Sequence, residues 1–306
     1  MLSRRTLISA AGSTAMLAAC GQNGTTDGPA KAGELAVQAA ARKIDKVGLQ
    51  SYTLREALSQ DFEGTFKMIK DIGYDYVELN DRNFSERTPA QLKAILDDLD
   101  LPSPASHIGY DRVINDTDAV IAAGKTLGAK YMIVPYMAED QRSLEDWKRH
   151  AKALNAAGER FADAGLRLAY HNHQFEFDDL GGGTTALEIL MTEASADNLD
   201  FELDIFWTTL AQINVPDLLR KYPGRFKLCH VKDMKGDPTR APSLSYEEIG
   251  DQLMANVGEG DTDFEAIFAL NDISGLEYFI AEHDHPKRPF GNSIANSLIA
   301  IREMRF

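Results

Sequence analysis

The chain has 306 residues, 44% of them hydrophobic. That is enough to bury one large core, and α/β barrels of roughly 250 residues form a single domain. Lys and Arg total 32 against 47 Asp and Glu, a formal net charge of -15, which repels phosphate backbones and argues against nucleic acid as a partner.

The first residues carry an address. Ser3-Arg4-Arg5-Thr6-Leu7-Ile8 is a twin-arginine n-region, and the apolar stretch from Thr6 to Ala19 is too short and weak to span a bilayer. It ends in Leu17-Ala18-Ala19-Cys20-Gly21, which resembles a bacterial lipobox. The expected layout is a twin-arginine lipoprotein-type signal peptide over 1–20, a flexible Gly/Ala/Thr/Gln tether over 21–44 and a folded domain over 45–306. The protein is then exported to the periplasm, touching the membrane only through a lipidated Cys20. The other cysteine, Cys229, lies in an apolar run and is expected to be a buried thiol, so no disulfide framework is predicted.

From Lys46 onward, short apolar runs alternate with helical patterns. Strands are predicted over 46–51, 76–80, 103–108, 130–135, 166–173, 199–204, 226–232 and 277–282. Amphipathic segments lie between them, among them Asp61–Ile72, Pro89–Leu99, Thr117–Leu127, Leu144–Ala164 and Val215–Lys221, with glycine or proline at many junctions. Eight strands alternating with helices predict a closed (β/α)8 TIM barrel, and no GxGxxG follows the first strand to favour an open dinucleotide-binding sheet. The third strand, with two prolines, has the least certain ends.

Functional side chains in such a barrel project from the C-terminal strand ends. Those ends carry Glu78, His107, His171-Asn172-His173 followed by Glu176, Glu202-Leu203-Asp204, His230-Val231-Lys232-Asp233 and Glu282-His283. Each has a bland reading: Glu78 a solvated carboxylate, His107 a core histidine, Lys232 a partner of Asp233, Trp207 a packing residue rather than a sugar-stacking platform. Together they point to one divalent metal. Asp204, His230 and Glu282 come from three consecutive strands, and two carboxylates brought together at the barrel mouth repel each other without a cation. The mixed carboxylate and imidazole set suits Mn2+ first, then Co2+, Zn2+ or Fe2+, and Mg2+ less well. The fourth ligand is open between Glu176 and His171, with Glu176 preferred as ligand and His171 as base.

Gly48-Leu-Gln-Ser-Tyr-Thr-Leu-Arg55, Tyr170-His-Asn-His-Gln-Phe-Glu-Phe177, Leu203-Asp-Ile-Phe-Trp207, His230-Val-Lys-Asp233 and Val257-Gly-Glu-Gly-Asp261 resemble the xylose isomerase-like TIM barrels, most closely the sugar phosphate isomerase/epimerase branch. The resemblance runs from about residue 46 to 306. It implies one divalent metal held by Glu, Asp, His and Glu, the last three matched by Asp204, His230 and Glu282. The first Glu is replaced by His171, as in a sub-branch with the pattern HNHxFEF. That departure weakens simple ketose epimerisation, because the missing Glu is one of the epimerases' two acid/base carboxylates.

The expected chemistry is proton abstraction next to a carbonyl, with His171, Glu282 and Glu176 as the catalytic set and Glu78, His107, His173, Trp207 and Lys232 contacting a small carbohydrate. Isomerisation or epimerisation of a non-phosphorylated sugar or keto-sugar is the first expectation, because phosphorylated intermediates stay in the cytoplasm. The alternatives are a 3-keto-glycoside or inosose lyase using the same chemistry, and a non-catalytic carbohydrate-binding lipoprotein. The three-zinc endonucleases that share the barrel need a cationic groove, which the charge of -15 opposes.

Overall fold

The structure is a computed structural model and describes residues 42–85 and 87–306. The expected signal peptide, Cys20 and almost all of the tether lie outside the described residues. No helix among those described is long and apolar enough to cross a membrane.

Among the described residues ten strands occur in chain order: β1 (Val47–Gln50), β2 (Tyr76–Leu79), β3 (Ala105–His107), β4 (Tyr131–Val134), β5 (Arg167–His171), β6 (Leu199–Asp204), β7 (Phe226–Val231), β8 (Asp233–Met234), β9 (Met254–Ala255) and β10 (Tyr278–Ala281). Eight of them close into a parallel barrel in the order β1-β10-β7-β6-β5-β4-β3-β2. The eight predicted strands are all present, the third reduced to three residues. The ribbon of β8 and β9, antiparallel outside the barrel, was not expected from the sequence; at two residues a strand, it leaves no periodicity to detect.

The helices follow the predicted faces closely: Phe62–Ile72, Pro89–Asp98, Thr117–Leu127, Leu144–Asp163 and Val215–Lys221. The longest begins at a capping box, in which Ser143 and Asp146 satisfy each other's backbone N–H groups. It lays Trp147, Leu154 and Phe161 into the core.

What positions the site is the filling of the barrel. Tyr76, Ala105, Tyr131, Ile133, Ala169, Leu228 and Ile280 form one buried apolar layer inside it. Gly48 belongs at this level because a Cβ there would lie 2.2 Å from the Tyr76 ring. Side chains alternate along a strand, so the residue two positions on points inward one layer higher. From Gly48, Tyr76, Ala105, Ala169, Leu228 and Ile280 this step reaches Gln50, Glu78, His107, His171, His230 and Glu282. The apolar layer is thus a floor, and the polar residues stand on it.

Candidate metal centre and sugar pocket

Two sets of side chains meet above the floor. Asp204, His230 and Glu282 bring one ligand atom each within 4.8 Å of one another, and His107, His171, Glu202 and His230 do the same beneath them. All are buried.

Asp204 ends β6 and caps the next helix, Ile205–Leu210: its Oδ1 accepts the Trp207 N–H at 2.9 Å. Its Oδ2 is buried and accepts no well-aligned hydrogen bond, its nearest cation being the Lys232 ammonium at 3.0 Å. His171 Nε2 and His230 Nδ1 each face that oxygen at 3.8 Å. This is too far for a hydrogen bond, yet close to the ~3.0–3.5 Å between two ligands sharing a metal at about 2.1 Å. The opposite edges of both rings are held from below. His171 Nδ1 stands 3.0 Å from Glu202 Oε2, and His230 Nε2 stands 2.7 Å from Glu78 Oε2. Gln50 Nε2 donates to the same Glu78 oxygen at 2.6 Å, and His107 Nε2 lies 2.7 Å from Glu202 Oε2. Carboxylates behind imidazoles in this way set the tautomer of a metal-ligating histidine. A buried carboxylate oxygen that accepts no well-aligned hydrogen bond, two imidazoles facing it and Glu282 beside them fit a divalent ion.

Lys232 is the resident cation. Its ammonium lies 2.6 Å from Glu282 Oε2, 3.0 Å from Asp204 Oδ2 and 3.2 Å from Asp284 Oδ1. The expected pairing with Asp233 does not occur, because Asp233 accepts backbone N–H groups from Gly258, Gly260 and Thr262 and closes that loop.

Burial raises the Asp204 carboxyl to about 6 even against the Lys232 and His230 charges. Burial and then the Glu202 charge raise Glu78 to about 7. Burial also acts to raise Glu202, but the His230 and His107 imidazoles outweigh it and hold this carboxyl well below the usual range. For His230 burial favours the neutral ring, yet Glu202, Glu282 and Glu78 overcome it and raise the group far above an ordinary imidazole. His171 goes the other way, lowered to about 3 by burial and then by the His230 charge.

Above this centre opens a cavity of ≈ 500 Å³. His107, His171, His173, Trp207, Lys232 and Glu282 all line it. Its walls are aromatic: the Trp207 and Tyr246 rings stack at 6.0 Å, and His173 and Phe175 at 5.6 Å and 9°. His173 Nδ1 is buried without a partner.

Two expected residues stand elsewhere. Glu176 is not at the metal centre: its Oε1 accepts from the Tyr170 hydroxyl at 2.6 Å and its Oε2 from the His173 N–H at 2.7 Å. The short helical turn Phe175–Phe177 folds the side chain back under its own loop, so His171, not Glu176, faces Asp204 Oδ2. Glu78 does not line the cavity; it lies beneath His230. Glu202, Gln50 and Asp284 were given no role from the sequence. Period two supplies a signal for each, since Glu202 precedes Asp204 by two, Asp284 follows Glu282 by two and Gln50 follows Gly48 by two. Tyr246 arrives from the segment after β8, which strand counting does not reach.

The model of the xylose isomerase-like TIM barrel matches residues 66–303. The chain belongs to that family. Among the curated members of this family, inosose dehydratase of Clostridium perfringens (strain ATCC 13124) is 29% identical over 148 residues, 46% of this chain and 48% of that protein. The chain therefore spans about half the length of the curated relatives it matches. A sugar phosphate isomerase/epimerase from Parabacteroides distasonis superposes with a TM-score of 0.70 at 22% identity, covering 89% of this chain and 96% of that one. The IOLI protein with a bound zinc atom superposes at 0.65 and 18% identity, covering 83% and 96%. At these identities the superpositions show the shared barrel alone.

Proposed function

We propose that this xylose isomerase-like barrel is a metal-dependent enzyme that removes a proton next to the carbonyl of a non-phosphorylated sugar or keto-sugar. The observation that carries the reading is the buried Asp204 Oδ2, shared between the Lys232 ammonium at 3.0 Å and the facing His171 Nε2 and His230 Nδ1 at 3.8 Å, at the base of an aromatic-walled cavity. His171, Asp204, His230 and Glu282 would hold the ion, with Mn2+ the first candidate and Co2+, Zn2+, Fe2+ or Mg2+ the others. It would supply Lewis-acid polarisation of the substrate carbonyl and a neighbouring hydroxyl.

The rest of the work falls to the chain. Trp207, Tyr246 and Phe175 line the cavity with aromatic surface against which a pyranose or cyclitol ring can pack. Lys232, whose ammonium faces three carboxylates, neutralises the charge at the base of the cavity and is not a free phosphate receptor. His173, half-buried on the cavity wall with Nδ1 uncommitted, accepts the proton while the C–H electron pair moves into the carbonyl. Delivery of a proton to the other face of the same carbon by an acid on that side gives an epimer. Return of the abstracted proton to the neighbouring carbon gives an isomer.

A second outcome, loss of a hydroxyl or glycosyl group from the next carbon, is favoured by one specific observation. With Glu176 bonded to Tyr170 and His171 in the ligand position, the strand end where epimerases keep a carboxylate acid/base offers an imidazole. A dehydratase or 3-keto-glycoside lyase needs one base and an acid for the leaving group, not two opposed carboxylates. The name of the curated relatives, inosose dehydratase, agrees with elimination. We read the twin-arginine and lipobox-like residues as export to the periplasm, where free sugars and glycosides are the available substrates. Fractionation of cells expressing the full chain and its Cys20→Ala variant tests the lipid anchor.

The deciding experiment is NMR of the metal-loaded protein with a panel of ketoses, inososes and 3-keto-glycosides in D2O. Solvent deuterium at the carbon next to the carbonyl, or an unsaturated product, is expected. Binding without exchange or product would instead make the protein a carbohydrate-binding lipoprotein.

A further inference from the structure

A second cavity of ≈ 510 Å³ adjoins the first, and Asn80 and Arg82 line both. Its other walls include Arg55, Arg87, Gln60, Ser59 and Phe62, and among the described residues no carboxylate lines it. In a chain of net charge -15, three guanidinium groups around one hollow stand out against the average surface.

Neighbouring arginines are neutralised in the usual way, Arg112 by Asp81 and Arg288 by Glu56. The three in this cavity are instead held on rings. The Arg55 and Arg82 guanidinium carbons lie 4.4 and 5.5 Å from the centroid of Tyr52, and that of Arg87 lies 3.6 Å from the centroid of Phe62. Stacking fixes a guanidinium by its face and leaves the N–H edges available, the arrangement suited to forked recognition of an oxyanion. Arg55 spends one N–H on the Tyr52 carbonyl at 3.2 Å. Tyr52 also lines the cavity above the metal centre, so one ring joins the two hollows.

We propose that this arginine cavity is an oxyanion subsite, holding a carboxylate or phosphate-type group on a ligand whose sugar ring occupies the adjoining cavity. The inference rests on the sugar-enzyme reading for what lies next door, but not for anion binding itself. It narrows the substrate class to acidic sugars or glycosides, with the charge held away from the reacting carbon.

The test measures anion binding without turnover. Glucuronate, inorganic sulfate and inorganic phosphate are titrated into the full chain at low ionic strength by calorimetry, alongside Arg55→Gln and Arg87→Gln. Saturable binding that weakens with added salt is expected, and about a tenfold loss in each variant with metal content unchanged. Absence of binding for all three probes, or equal binding by the variants, overturns the subsite. A marked preference for phosphate over glucuronate supports the subsite and removes the non-phosphorylated part of the functional reading. Failure of deuterium exchange with anion binding intact would count against the sugar enzyme alone. Loss of anion binding with exchange intact would count against the subsite alone.

Discussion

Glu202 Oε2 lies 3.0 Å from Nδ1 of His171, and that contact decides which edge of the imidazole faces Asp204. The same oxygen receives His107 at 2.7 Å, so one buried carboxylate orients two rings on strands β3 and β5. Removing it leaves His171 free to turn about χ2 and His107 without its acceptor. Glu202→Ala is expected to weaken metal affinity ~10–100-fold while the barrel stays folded. Chelator competition with the purified variant reads the loss, and wild-type affinity would show that Glu202 does not orient the ligand.

Lys232 bears on the same centre from above. Its ammonium is 1% exposed and screens Asp204, Glu282 and Asp284 from one another. Breaking a buried ion pair from one side costs about 3–5 kcal/mol, because the remaining charge is uncompensated. Lys232→Gln is therefore expected to lower the denaturation midpoint of the metal-free protein sharply, and added Mn2+ should restore most of it. The diagnostic is the size of the metal-induced shift, which must exceed that of the wild type. An equal shift means Lys232 does not share the carboxylates with the ion.

A metal arriving here must displace protons. Burial raises Asp204 to about 6, and the carboxylates around His230 hold that ring protonated well above the ordinary imidazole range. Both groups must be deprotonated to ligate. Metal affinity should consequently rise with pH between about 5 and 8, with proton release on binding visible to an indicator dye in weak buffer. Affinity independent of pH across that window would mean that neither group is a ligand.

The barrel was legible because its strands and helices keep clean periods: Thr117–Leu127 and Val215–Lys221 fall where their apolar spacing placed them. The site was legible as far as strand alternation reaches. Asp204, His230 and Glu282 stand at one level because each follows an inward residue by two. Glu176 was misplaced because it lies past the end of β5, where alternation stops and the Phe175–Phe177 turn decides direction. Asn172 shows the same limit from the other side. Between two histidines it points outward, its Oδ1 accepting the Asp204 N–H and its Nδ2 donating to Thr208, so it joins β5 to β6. Tyr246 and the three arginines of the second cavity come from loops and short helices, whose meeting is set by packing between elements far apart in sequence.

Glu176 separates the two candidate ligands experimentally. It is fully buried, and burial raises its carboxyl to about 7 against the hydrogen bonds from Tyr170 and the His173 N–H. In the unfolded chain the same group titrates near 4.5. Between those values the folded state holds more protons than the unfolded state, so stability falls as pH rises through the window. The full loss is on the order of 3 kcal/mol for a completely buried group. Glutamine mimics the protonated acid: its carbonyl can accept the His173 N–H while its amide donates to the Tyr170 oxygen. Glu176→Gln is expected to match the wild type near pH 5, to exceed it in thermal stability at pH 8 and to keep its metal. His171→Gln is expected to lose metal and to leave the pH dependence of stability in place. Metal analysis and melting curves at both pH values check the pair, and loss of metal by the Glu176 variant would return that residue to the ligand position.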